Sequence, residues 1–114
     1  METSNGHLQV MVKIIAPDGL GQELLGVMQP LLGSIRSRSG CLACSIFQDA
    51  ENLEEMALYE EWENEAAFAS HVSSSDYRYI LEWMEQSVAQ PEITVCKKIS
   101  QDGFTLIEKI RKAQ

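Results

Sequence analysis

The sequence predicts an α+β domain built on one four-stranded antiparallel sheet, in the chain order β-α-β-β-α-β. Three observations carry that reading. Short runs rich in β-branched and aromatic residues fall at 8–15, 42–48, 56–62 and 92–99. Apolar residues at spacings of three and four fill 20–35 and 77–88. The second and third runs are separated by only a short polar stretch, so they form a hairpin and pair antiparallel.

Each element has its own justification. The first strand, LQVMVKII, ends at Pro17-Asp18-Gly19, where proline and glycine punctuate the chain. Leu20, Leu24, Met28, Leu31 and Ile35 then mark a helix. Pro30 lies inside it, removing a donor and crowding the Gly26 carbonyl, so one kinked helix is expected rather than two. Gly40 turns the chain into the second strand, and Asp49-Ala50-Glu51-Asn52 turns it into the third, with Glu51, Glu54 and Glu55 on solvated surface. Asn64 reads as the N-cap of a short helix with Glu65 in its first turn. Ser73-Ser74-Ser75 interrupts it and offers a new N-cap before Asp76. The next helix has Tyr77, Ile80, Leu81, Met84 and Val88 on one stripe, Tyr79 and Trp83 on another flank, and Pro91 to stop it. The last strand is EITVCKKI, with Ile93, Val95 and Ile99 on one face.

This order is the split βαβ, or ferredoxin-like, plan, with helices on one face of the sheet. Met11, Ile15, Phe47 and Tyr59 make the other face apolar as well, and a sheet with two apolar faces must cover both. A second copy packed sheet to sheet is the simplest cover, which predicts a homodimer. The folded domain is expected over 8–100, after a disordered segment 1–7. A tail, 101–114, carries Phe104, Leu106, Ile107 and Ile110 beside Lys109, Arg111 and Lys112, and is expected to dock on the dimer.

Composition narrows the partners. A net charge of −8 repels phosphate backbones and argues against nucleic acid. No run approaches the roughly 20 apolar residues of a membrane-spanning helix. METSNGHLQ lacks the basic and apolar regions of a signal peptide, so a cytoplasmic location is expected. Cys41 and Cys44 spell C-x-x-C, and Cys96 stands alone. On a strand, positions three apart point to opposite faces, so the motif reads as buried structural thiols rather than a redox or zinc site.

The candidate site is in 56–71, MALYEEWENEAAFASH. Met56, Leu58, Glu60 and Trp62 share one face of the third strand; Ala57, Tyr59 and Glu61 share the other. Phe68, His71 and Val72 share one side of the helix that follows at once. Glu60 on an apolar face is informative, since a buried carboxylate must find a partner. His71 is either a general base or a structural histidine bonded to Glu60 or to the backbone. Trp62 reads as core or as pocket wall. Metal-ligand spacing is absent from the sequence.

The motifs Pro30-Leu31-Leu32 with Arg36, Gly40-Cys41-Leu42, Tyr59-Glu60-Glu61-Trp62, and Ala67-Phe68 with His71 resemble those of the antibiotic biosynthesis monooxygenase family of dimeric α/β barrels, over about residues 8 to 99. The resemblance implies a monooxygenase acting on a small aromatic or quinol substrate without metal, haem or flavin. His71, Glu60 and Trp62 would be catalytic, and Met56, Phe68 and Tyr77 would line the pocket. The family's haem-degrading branch carries its iron-ligating histidine where this chain has Leu81, and an asparagine in a first strand that here has none, so haem degradation is not expected. The alternative is a non-catalytic dimeric module of the same fold that binds small apolar molecules.

Overall fold

A computed structural model describes residues 7–113, and its sheet comprises β1 (Leu8–Ile15), β2 (Cys41–Gln48), β3 (Glu55–Trp62) and β4 (Glu92–Lys97). The strands run antiparallel in the order β2-β3-β1-β4, the ferredoxin-like arrangement expected from the sequence. Helices α1 (Gly21–Met28), α2 (Leu32–Arg36), α3 (Glu65–Ser73) and α4 (Tyr77–Glu85) accompany the sheet, and α5 (Gly103–Lys112) ends the chain. The period of two along β1 sets what is buried. Leu8, Val10, Val12 and Ile14 are buried, and the last three, with Met56, Leu58 and Trp62 of β3, form one core with Leu24, Met28, Leu32, Ile35, Ile80, Trp83 and Met84 from the helices. Of segment 1–7 only His7 lies among the described residues, and its carbonyl accepts a hydrogen bond from the Lys98 N–H at 3.1 Å.

Several sequence expectations are corrected. Pro30 does not merely kink one helix: a 3-10 turn, Gln29–Leu31, separates α1 from α2, because proline has no N–H to donate. Helix α4 ends at Glu85, so Val88 is not on its stripe; the Val88 N–H donates to the Ile15 carbonyl instead. Trp83 is core rather than flank, its Nε1–H donating to the Leu24 carbonyl at 3.2 Å. Ser74 does not cap α4; its hydroxyl closes the end of α3 by donating to the His71 carbonyl. Strand β4 stops at Lys97, leaving Ile99 outside it and exposed.

The most consequential correction lies in β2. Cys41 stands opposite Trp62, yet Ala43 stands opposite Glu61 and Cys44 opposite Glu60. Three steps along β2 therefore answer two along β3, which is a β-bulge. The extra residue places Cys41 and Cys44 on the same face, the one that carries Glu60 and Trp62, rather than on opposite faces. Gly40 leads into this bulge with φ +84°, and a Cβ there would lie 2.5 Å from the Cβ of Ala67 on α3. Only glycine allows both the backbone conformation and this approach of α3 to the start of β2.

Candidate functional site

The site forms where β3 runs directly into α3. The Asn64 side chain accepts a hydrogen bond from the Ala67 N–H at 2.9 Å and starts α3 two residues after the strand ends. That short connection folds the helix back over its own strand. His71 arrives almost two turns into α3 and is the only residue of that helix to be buried. The rest of α3 is exposed or half-buried, and a buried imidazole on it calls for a partner.

Glu60 is that partner. Its Oε2 lies 3.2 Å from His71 Nε2, and its Oε1 accepts the Trp62 indole N–H at 2.9 Å. Both side chains of the acid–histidine pair are 3% exposed, so water does not weaken the contact. An ionised carboxylate only accepts, which places the imidazole proton on Nε2 and leaves the Nδ1 lone pair free. Nδ1 is buried and has no hydrogen-bond partner. The Trp62 ring stacks on His71 with centroids 4.7 Å apart, and Tyr77 meets the imidazole edge-on at 5.1 Å. Phe68 tilts against the outer side of Trp62 at 6.5 Å. The imidazole is thus fixed in orientation by two rings and one carboxylate.

The neighbouring titratable groups are affected by the same burial and charge. Burial, then the charge of Glu60, pushes the Tyr77 hydroxyl above its usual range. The same two causes, in the same order, raise both bulge thiols, Cys44 to about 12. These cysteines stay protonated at neutral pH and act as packing beside the carboxylate. Among the described residues, no three of His, Cys, Asp and Glu converge closely enough to hold a metal ion.

A cleft of about 200 Å³ opens between α2, α3 and the start of α4, with His71 in its lining. Leu31, Ile35 and Ile80 give it apolar walls, while Ser34, Arg38, Asp76 and Tyr79 supply its polar edge. The structure brings Glu60, Trp62, Phe68, His71 and Tyr77 together. Met56 is not with them: it is six residues back along β3, about 20 Å at strand rise, fully buried in the core. The sequence reading missed Arg38, Asp76 and Tyr79 as cleft residues. Arg36 and Arg38 within an acidic chain were the available signal, and they separate here: Arg36 Nε–H ties α2 to β2 through the Cys44 carbonyl at 2.9 Å, while Arg38 turns to the cleft.

Residues 8–83 match the family model described as antibiotic biosynthesis monooxygenase. The chain belongs to the antibiotic biosynthesis monooxygenase family. The match ends within α4, so β4 and α5 lie beyond it. Comparison with curated proteins gives no match. Among solved structures, a conserved protein from Methanosarcina mazei Go1 is similar at 22% identity and TM-score 0.76, covering 85% of this chain and 97% of that one. PA3566 from Pseudomonas aeruginosa is similar at 19% identity and TM-score 0.74, covering 87% and 100%. A structure described as an antibiotic biosynthesis monooxygenase is similar at 18% identity and TM-score 0.72, covering 82% and 99%. At these identities the likeness is one of fold.

Proposed function

We propose that this family member is a monooxygenase of small aromatic or quinol substrates that works without a cofactor, with His71 as its general base. The observation that supports this most is the unpartnered, buried Nδ1 of an imidazole whose other nitrogen is committed to Glu60. That is the arrangement a base needs: one nitrogen fixed by a carboxylate, the other free to take a proton. His71 removes a phenolic proton, and the electron-rich phenolate passes an electron to O2. The resulting radicals combine at a ring carbon to give a hydroperoxide. Loss of water from it, with the proton returned by His71, leaves a carbonyl. For hydroquinone the products are hydroxyquinone and water, so the substrate supplies all the electrons and no outside reductant enters. Glu60 steadies the protonated imidazole, and Trp62, Phe68 and Tyr77 keep water away from it.

The test is oxygen uptake by the metal-free protein with hydroquinone. His71→Ala is expected to lower the rate tens-fold or more, since proton-transfer groups typically contribute ~10²–10⁴-fold. Unchanged turnover removes His71 from the mechanism. If no oxygen is consumed while ligands still raise the melting temperature, the chain is a binding module instead.

The same reading includes a homodimer. Met11 and Phe47 remain exposed on the sheet face away from the helices. Helix α5 buries none of its residues, and its last turn carries Lys109, Arg111 and Lys112 on a chain of net charge −8. A second copy covers the open sheet face, and α5 docks its apolar side on that copy, with the basic turn toward its acidic surface.

A further inference from the structure

Arg38 is half-buried on the edge of the His71 cleft, in a strongly acidic chain, and it has no acidic partner within salt-bridge distance among the described residues. Its one side-chain hydrogen bond, Nη2–H to the Ser70 carbonyl, is long at 3.4 Å. A guanidinium left so free beside a cleft suits a planar anion that it can grip with two parallel hydrogen bonds. The size of the cleft limits what carries that anion. About 150 Å³ of apolar cavity accommodates one benzene ring, so about 200 Å³ is room for one substituted ring. The walls of Leu31, Ile35 and Ile80 suit such a ring, and His71, whose buried Nδ1 has no hydrogen-bond partner, is part of the same lining. Asp76, on the same edge, repels an anion and so orients the ligand with its charged end toward Arg38.

We infer that the cleft takes a single-ring phenol or hydroquinone bearing a carboxylate, with the carboxylate held by Arg38 and the hydroxyl presented to His71. The inference rests on the oxygenase reading for its chemistry but not for its binding, and the experiment separates the two. The full-length protein is offered 2,5-dihydroxybenzoate and hydroquinone in an oxygen electrode, and unreactive benzoate in calorimetry. The carboxylated substrate is expected to show the higher kcat/KM. Arg38→Gln should lower that value about 10–100-fold, the range of a charge-assisted hydrogen bond, and lower the hydroquinone value far less. Arg38→Lys should recover part of the loss, and Asp76→Asn should tighten benzoate. Equal losses for both substrates in Arg38→Gln, or benzoate binding indifferent to Arg38, would overturn the assignment. Benzoate binding that depends on Arg38, in a protein that oxidises neither substrate, keeps the subsite and removes the oxygenase reading.

Discussion

The junction of β3 with α3 and the stretch from β4 through α5 are opposites in how they place polar and apolar groups. At the junction a carboxylate, an imidazole and an indole N–H are buried together, with Glu60 2%, His71 2% and Trp62 0% exposed. At the C-terminal end Ile93, Val95, Phe104, Leu106, Ile107 and Ile110 are each more than half exposed or nearly so. The first region inverts the usual order because its polar groups, His71 Nδ1 excepted, satisfy one another, which is the condition under which burial is tolerated. The second inverts it with no cover among the described residues of the chain. One region is closed to water, and the other is open to it.

Four changes probe that contrast, from the largest expected effect to the smallest. Trp62→Ala removes a fully buried ring that also donates to Glu60, and should cost about 3–5 kcal/mol in urea unfolding. A loss under 1 kcal/mol would mean that the junction is loosely packed. Glu60→Ala leaves the Trp62 and His71 donors without an acceptor. About 2–3 kcal/mol should be lost, since each orphaned donor costs about 1–3 kcal/mol and entering water relieves part. Glu60→Gln, which keeps an acceptor, should cost less, and equal losses would show that shape alone matters there.

The third change reads pH. Lys98 donates to Glu61 at 2.7 Å, and this bond holds the Glu61 carboxyl below its ordinary value of 4.5. A depressed folded value stabilises the protein above the unfolded value and loses that stabilisation as pH falls toward the folded one. Lys98→Ala should therefore cost roughly 1–2 kcal/mol near pH 6, the order of a part-buried hydrogen bond to a charged group, and almost nothing in strong acid. An equal loss at both pH values would deny the pair its role. Last, truncation after Ser100 should shift monomer unfolding by less than ~0.5 kcal/mol, because no residue of α5 is buried. It should nevertheless weaken the dimer in sedimentation at low micromolar concentration. A truncated chain that remains as dimeric as the whole one makes α5 an appendage.

The same contrast explains what the sequence disclosed. Strand β1 could be read to the residue because LQVMVKII alternates and Pro17-Asp18-Gly19 follows close behind it. The Asn64 cap and the shared face of Glu60 and Trp62 were legible because both follow from local period and local chemistry. The bulge was not, since CLACSIF looks like an unbroken strand and only pairing with β3 reveals the extra residue. Trp83 was placed on a flank because the stripe was carried on to Val88, beyond the end of the helix. The cleft was hidden for a different reason. Arg38, His71, Asp76 and Tyr79 meet only when α2 packs against the α3–α4 corner, and no spacing along the chain records that meeting.

The stacking of His71 on Trp62 also makes the site its own optical gauge. A protonated imidazole in contact with an excited indole accepts an electron and quenches its emission, whereas a neutral one does so far less. Trp62 therefore brightens or dims with the charge on His71, without any added dye. Trp83, the chain's other tryptophan, is buried and bonded to the Leu24 carbonyl, and it supplies a second emission with no imidazole stacked on it among the described residues. In a Trp83→Phe variant the remaining emission would come from Trp62 alone.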